Sequence, residues 1–139
     1  MRLRGKTLLL AGLSVWSSVW AQNAPTITLA ANAEGGNPVI APNTWVEIKG
    51  QNLSRSGDSR IWQSTDFVNG QMPISLDGVS VTVNGKAAFL YYISPTQVNF
   101  LTPPDTMPAS VNVVVTNNGS SSQPFLAPAQ ALSRVPQRG

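Results

Sequence analysis

The side chains that could perform chemistry in this chain are few, and several carboxylates among them fall in one stretch. Cys and His are absent, which excludes a thiolate nucleophile, a Ser-His-Asp arrangement and a metal site built from imidazole or thiolate. Asp58, Asp66 and Asp77 remain, and a carboxylate pair of the glycosidase type is the one hydrolytic option left. With Asn69 they also offer the hard oxygen ligands that calcium prefers. Asp77 stands at a turn, and Asp66 is placed to cap the loop or to pair with Arg60. We therefore expect no catalytic residue, no metal and no cofactor.

Binding is the alternative chemistry, and the same stretch carries the candidates for it. Residues 55–76 show no sustained alternation, and a connection of this length is either ordered by its own side chains or functional. Trp62 and Phe67 are predicted to pin this loop. With Arg60 and Asp66 they form the predicted binding residues.

A second aromatic set overlaps the first. Trp45, Trp62, Tyr91 and Tyr92 could offer flat apolar faces to sugar rings. Trp45 is predicted to point away from the core, and Tyr92 to point away from a core-facing Tyr91. The alternative is that each aromatic side chain covers an outer sheet face or pins the loop, and the sequence leaves both interpretations open.

The charge distribution argues against nucleic acid as a partner. The chain has nine basic and six acidic residues, but Arg2, Arg4 and Lys6 lie at its start. The remaining residues carry six charges of each sign. Nucleic-acid binding needs a clustered positive surface, and within residues 22–132 Arg55 with Arg60 is the one close basic pair.

Residues 1–21 have the layout of a secretory signal peptide. A basic start is followed by the apolar run 8–20 and by Ala21 at the expected cleavage position. The apolar run is shorter than the roughly 20 residues that span a membrane. No second long apolar run follows, so we expect no stable membrane span in the mature chain. The predicted location is secreted, extracellular or on the cell surface.

After residue 25, period-2 alternation and turn signals replace helical periodicity. Asn84-Gly85, for example, suits a two-residue type I′ hairpin turn, with Lys86 to Ile93 as one return strand. About seven short strands predict an all-β sandwich over residues 22–132, with 133–139 as a disordered tail. The predicted strands are 26–29, 44–49, 79–83, 86–93, 97–101, 111–116 and an edge strand within 125–132. The predicted core is Ile27, Leu29, Val46, Ile48, Val79, Val81, Val83, Phe89, Tyr91, Val98, Phe100, Val111, Val113 and Val115.

Several strings in this order resemble one domain family. They are Val39 to Ile48, Gly50 to Leu53, Pro73 to Lys86, Tyr92 to Phe100 and Val113 to Gly119. Together they resemble the IPT/TIG immunoglobulin-like modules, and in particular uncharacterised C-terminal β-domains of large secreted acidobacterial proteins. The resemblance covers roughly residues 25–132. It implies an E-set/TIG-type immunoglobulin-like sandwich with an accessory or adhesive role, and it implies no catalytic residues.

Three functions remain open. The first is a secreted, non-enzymatic binding or adhesion module, whose partner is a protein or polysaccharide at the cell exterior. It would bind through residues 55–76 or through a sheet edge that accepts a strand. The second is a structural spacer or a truncated piece of a larger exported protein. The third is a carbohydrate-active accessory or hydrolase, which a dispersed arrangement of Asp58, Asp66 and Asp77 would remove.

Overall fold

Short alternating strands joined by tight turns organise residues 23–131, the part of the chain that the computed structural model describes. Apolar side chains on one face and polar ones on the other make such strands pair into sheets with a single dry side. The strands are β1 Thr26–Asn32, β2 Trp45–Gln51, β3 Arg60–Ile61, β4 Val79–Val83, β5 Lys86–Ala87, β6 Phe89–Ile93, β7 Gln97–Leu101, β8 Ser110–Asn117, β9 Ser120–Ser121 and β10 Phe125–Pro128. One turn of 3-10 helix, Ser64–Asp66, follows β3.

The strands form two antiparallel sheets that face one another. The first sheet has the order β1-β2-β7-β6-β3, and the second has the order β10-β8-β4-β5 with β9 also paired to β8. The predicted all-β sandwich is therefore confirmed. Pro128 ends β10 at the edge of the second sheet, where a residue without a backbone N–H is tolerated.

The core lies between the sheets and is largely the one that alternation predicts. Val46, Ile48, Val98 and Phe100 come from the first sheet and are fully buried. The six predicted valines of β4 and β8 are buried opposite them. Those valines are Val79, Val81, Val83, Val111, Val113 and Val115.

Three of the predicted core residues lie outside the core, and two of them stand beside a bulge. In β1 the register shifts between Ile27 and Leu29, so Ile27 packs partly against the core while Leu29 turns outward and is 39% exposed. In β6 the shift lies between Leu90 and Tyr92, and the extra residue, Tyr91, is 37% exposed. A bulge inserts one residue and reverses the facing of everything beyond it.

The predicted return strand Lys86 to Ile93 is in fact two strands. β5 pairs with β4 in the second sheet, whereas β6 pairs with β7 in the first. The chain crosses between the sheets at Ala88, which is fully buried. Leu90 and Ile93 enter the core, while the predicted Phe89 is only half-buried.

The hairpin turn between β4 and β5 is as predicted. Asn84 and Gly85 have φ of 53° and 80°, the left-handed pair that a type I′ turn requires. The same geometry recurs inside the long loop. There Asn69 and Gly70 form a two-residue turn, and the flanking residues Val68 and Gln71 form an isolated antiparallel bridge.

Two predicted segments, the signal peptide 1–21 and the tail 133–139, lie outside the described residues. Within residues 23–131, no helix has the length and apolar character needed to cross a membrane.

Candidate functional site

The candidate site lies on the outer face of the first sheet. In β2, Val46 and Ile48 point into the core, so Trp45 and Glu47 point out. β7 is paired so that Leu101 stands opposite Trp45 and Asn99 stands opposite Glu47. This outer face therefore presents an aromatic side chain beside acidic and amide groups.

Four aromatic side chains, which we name the aromatic cluster, meet at one end of this face. They are Trp45, Trp62, Phe67 and Tyr91. Trp62 is central: its ring centroid lies 6.2 Å from that of Trp45, 5.1 Å from that of Tyr91 and 5.0 Å from that of Phe67. Trp45 and Tyr91 are themselves 6.0 Å apart, and all four pairs are edge-to-face. Such pairs stabilise a fold by about 1 kcal/mol each beyond their buried area.

Local backbone structure brings these rings together. Tyr91 follows the buried Leu90 at the β6 bulge and points outward, and the Trp62 backbone N–H donates to the Tyr91 carbonyl at 2.9 Å. The 3-10 turn between Trp62 and Phe67 then returns the chain so that the two rings pack. The loop is thus ordered by its own aromatic side chains, as the sequence predicts for Trp62 and Phe67.

A groove of about 290 Å³ runs beside the aromatic cluster. A second depression of about 220 Å³ adjoins it and shares Glu34 and Trp45. The first is lined by Ala33, Glu34, Trp45, Trp62, Tyr91 and Asn99. The second is lined by Asn32, Glu34, Asn43, Thr44 and Trp45.

Arg60 anchors the loop through ion pairs with Asp66 and Asp77, and we name these three side chains the polar node. Its Nε and Nη2 donate to the two Asp77 carboxylate oxygens at 2.8 and 2.9 Å. Its Nη1 and Nη2 donate to the two Asp66 oxygens at 2.8 and 3.0 Å, and Nη1 also donates to the Ile61 carbonyl at 3.1 Å. A guanidinium has five N–H groups, so all five have partners within the protein.

The polar node shifts the pKa values of Asp66 and Asp77 and of the neighbouring Asp58. Hydrogen bonds from Arg60 lower the pKa of Asp66, with a further contribution from the Gln63 backbone N–H, which donates to Asp66 at 2.7 Å. Hydrogen bonds from Arg60 likewise lower the pKa of Asp77. Asp58 differs, because burial and then the neighbouring Asp77 carboxylate raise its pKa. The carboxylates on the guanidinium are therefore held in their charged forms.

The three carboxylates are not dispersed, but their arrangement does not resemble a hydrolytic pair. Asp66 and Asp77 bind opposite edges of one guanidinium instead of flanking an open cleft, and their lowered pKa values oppose the role of a general acid. None of Asp58, Asp66 and Asp77 lines the groove beside the aromatic cluster. Among the described residues, no group of three or more His, Cys, Asp or Glu side chains is placed to hold a metal ion.

The predicted binding residues divide into two groups. Trp62 and Phe67 belong to the aromatic cluster, whereas Arg60 and Asp66 belong to the polar node that supports the loop. That Arg60 and Asp66 contact a partner stays a prediction, although their internal hydrogen bonds indicate that they position Trp62. Tyr92, the remaining aromatic candidate, is half-buried opposite Asn99.

Sequence reasoning missed three groove residues: Ala33, Glu34 and Asn99. The outward position of Asn99 follows from the alternation of β7, so that signal was present. Ala33 and Glu34 lie in the turn after β1, and their approach to Trp45 depends on the pairing of β1 with β2, which period-2 alternation does not specify.

The family comparison agrees with this architecture. The family model of the IPT/TIG domain matches residues 37–127, a range that includes the polar node and every member of the aromatic cluster. A search of curated proteins found no match to the chain.

Proposed function

The chain belongs to the IPT/TIG domain family, and from this premise we propose that it is a non-enzymatic binding or adhesion module that acts at the cell exterior. IPT/TIG domains are immunoglobulin-like modules that often take part in binding or adhesion. The proposal rests on the aromatic cluster as the contact surface. The location rests on the layout of residues 1–21.

One observation carries the proposal: an aromatic surface is held open to solvent on a rigid support. Tyr91 is 37% exposed, and Trp45 and Trp62 are only half-buried although both are large apolar side chains. An exposed apolar groove with a few polar groups at its rim is the usual form of a binding site. The Arg60 node fixes the loop that carries Trp62, so little ordering is needed on binding.

Binding to cell envelopes tests this function. We expect the purified chain to be retained saturably on an envelope preparation. Ala33→Arg should reduce retention by about tenfold, because a long side chain at Ala33 would occupy the groove without removing a packed group. Leu126→Ala is the matched control, because Leu126 is 65% exposed on β10 of the other sheet. Retention should be unchanged in that variant.

Two results would contradict the proposal. If the folded chain, with β-structure confirmed by circular dichroism, showed no retention, the spacer interpretation would replace it. If Ala33→Arg and Leu126→Ala were both retained like the parent chain, binding would lie elsewhere, and the sheet edges would be the next surface to test.

The expected export is tested separately. Fractionation of cells that express the chain should place it outside the cytoplasm, and N-terminal sequencing should begin at Gln22. A cytoplasmic chain that begins at Met1 would refute this part of the proposal.

A further inference from the structure

We propose that the groove beside the aromatic cluster binds a neutral polysaccharide, with pyranose rings stacked on the aromatic side chains and hydroxyl groups bonded to Glu34 and Asn99. This inference rests on the proposed binding function and names the class of ligand. Four observations support it: the packing of the rings, the free polar groups at the rim, the charge of the groove and its continuation past Trp45.

The rings pack against one another too closely to enclose a cation between them. Trp45, Trp62 and Tyr91 contact one another edge to face, with centroid separations of 5.1 to 6.2 Å. A trimethylammonium group needs open ring faces around it, each within about 6 Å of the cation, and rings already in mutual contact leave no room between them. All three rings line the groove, so a flat ligand with an apolar face can stack on a ring there. The C–H face of a pyranose is such a surface.

Polar groups at the rim are free to bind hydroxyls. Among the described residues, no hydrogen bond or ion pair engages the Glu34 carboxylate, and the Asn99 side chain uses its oxygen to accept from Gln97 at 2.8 Å. The Asn99 amide N–H groups are therefore available as donors, and Glu34 is available as an acceptor. A sugar hydroxyl both donates and accepts, so it matches this pair.

The charge of the groove disfavours acidic ligands. Of the residues that line the groove, Glu34 is the charged one, and it is negative. Uronic acids, phosphodiesters and other polyanions would be repelled there, since like charges in proximity are unfavourable. The basic side chain of Arg60 offers no compensation, because its N–H groups are bonded to Asp66, Asp77 and the Ile61 carbonyl.

The proposed binding site extends from the groove into the second depression. The second depression shares Glu34 and Trp45 with the first, and Asn32, Asn43 and Thr44 add amide and hydroxyl groups to its lining. An aromatic subsite followed by a polar one suits a chain of linked rings. We therefore expect longer oligosaccharides to bind more tightly than single sugars.

Titration calorimetry with a panel of soluble glycans tests the ligand class directly. The panel contains neutral hexaoses with β-1,4-linked glucose, xylose, mannose and N-acetylglucosamine, together with polygalacturonate, a proline-rich peptide and choline. We expect at least one neutral hexaose to bind, its monosaccharide to bind more weakly, and polygalacturonate to show no binding. Trp62→Ala should lower the affinity by about tenfold or more, and Ala33→Arg, which removes no packed ring, should do the same.

The variant Glu34→Gln distinguishes a ligand that binds Glu34 through a hydroxyl group from one that binds it through a positive charge. Gln keeps the length and hydrogen-bonding ability of Glu but loses its charge, so sugar affinity should change by no more than a few-fold. A cation would lose most of its affinity in this variant, and raising the salt concentration would weaken its binding. Binding of choline or the proline-rich peptide in the groove, without any neutral glycan, would overturn the inference.

Envelope retention covers sugars that the panel lacks. Periodate cleaves vicinal diols, so periodate treatment of the envelope should abolish retention on 1,4-linked glucose, xylose or mannose, whereas a 1,4-linked N-acetylglucosamine polymer has no vicinal diol within its chain and should resist it. Protease treatment should leave retention on any of these polysaccharides. Retention that survives periodate and is lost with protease would refute the polysaccharide while keeping the proposed binding function. Absence of both envelope retention and glycan binding would refute both.

Discussion

Arg60 connects the loop to the sandwich at the scale of single residues. Its side chain is 26% exposed and bonds two carboxylates that come from separate parts of the loop, Asp66 and Asp77. Ion pairs with bidentate geometry and partial burial contribute more than exposed pairs do. The position of Trp62, two residues further along the chain, depends on this node.

Arg60→Lys should therefore destabilise the fold while keeping the charge. An ammonium cannot reproduce the forked bonds to Asp66 and Asp77, so we expect the free energy of unfolding to fall by about 1–3 kcal/mol. Lys86→Met is the control, because the Lys86–Asp105 pair has a similar 2.8 Å separation but both side chains are at least half exposed. That variant should leave the urea midpoint nearly unchanged, because exposed ion pairs contribute little to stability. Urea unfolding measures both, and equal losses would contradict the prediction.

The same node predicts how stability depends on pH. The folded-state pKa values of Asp66 and Asp77 are lowered by Arg60, so these residues stabilise the fold above their unfolded pKa of about 3.9. That contribution is lost as the pH falls through the folded values. Urea midpoints should therefore decrease below about pH 4, and the decrease should be smaller in Arg60→Leu. A parallel decrease in both proteins would contradict this assignment.

Asp58 is predicted to act in the opposite sense. Its raised pKa, caused by burial and by Asp77, means that its charged form is unfavourable in the folded state. Asp58→Asn should therefore increase stability at pH 7, and the difference should vanish below the unfolded pKa of about 3.9. Urea unfolding at pH 7 and at pH 3 measures it. A loss of stability at pH 7 would show that the Asp58 carboxylate has a favourable partner.

At the scale of elements, the bulges in β1 and β6 limit what alternation predicts. The sequence predicts Phe89 and Tyr91 in the core, but Leu90 lies there before the bulge and Ile93 lies there after it. Bulges depend on the pairing with the neighbouring strand and not on the residues of one strand. The sequence therefore predicts the existence of the strand but not the outward position of Tyr91.

The segment between β2 and β4 shows a second limit of prediction from the sequence. Trp62 and Phe67 are identifiable from their apolar character in a polar stretch, and their packing is confirmed. The bonds from Arg60 to Asp77 join residues 17 positions apart, and no local pattern specifies such a pairing. The predicted site thus lacks Glu34 and Asn99, which the packing of β1 against β2 and of β2 against β7 brings to it.

The pairing of β1 with β2 has its own critical residue, Gly50. A Cβ at this position would collide with the Thr26 backbone carbonyl and would lie 3.1 Å from the Ile27 Cα. Neither backbone group is a flexible side-chain end, so Gly50→Ala should lower stability by about 3 kcal/mol. Gly85→Ala is the matched control: a Cβ there meets nothing within 4 Å, and only its positive φ costs about 1–2 kcal/mol. Urea unfolding compares the two, and an equal or smaller loss in Gly50→Ala would contradict the clash.

At the scale of the whole molecule, the sequence predicts most of the architecture because the core obeys simple alternation. The valines of β4 and β8 and the apolar residues of β2 and β7 face one another as expected. The crossing of the chain between sheets at Ala88 is not predictable from alternation, because alternation does not specify that β5 and β6 pair with strands of different sheets. Both sheets nevertheless share one hydrophobic core.

A shared core predicts that the sandwich unfolds as one unit. Phe100 is a fully buried side chain of β7 and belongs to a cluster that includes Val81 and Val113 of the opposite sheet. Phe100→Ala should therefore cost about 3–5 kcal/mol, a large part of the 5–15 kcal/mol by which such domains are stable. Hydrogen exchange should show the backbone N–H groups of β7 and β8 losing protection together. If β8 remained protected while β7 exchanged, the sheets would be separate cooperative units, and the aromatic cluster would open without unfolding the second sheet.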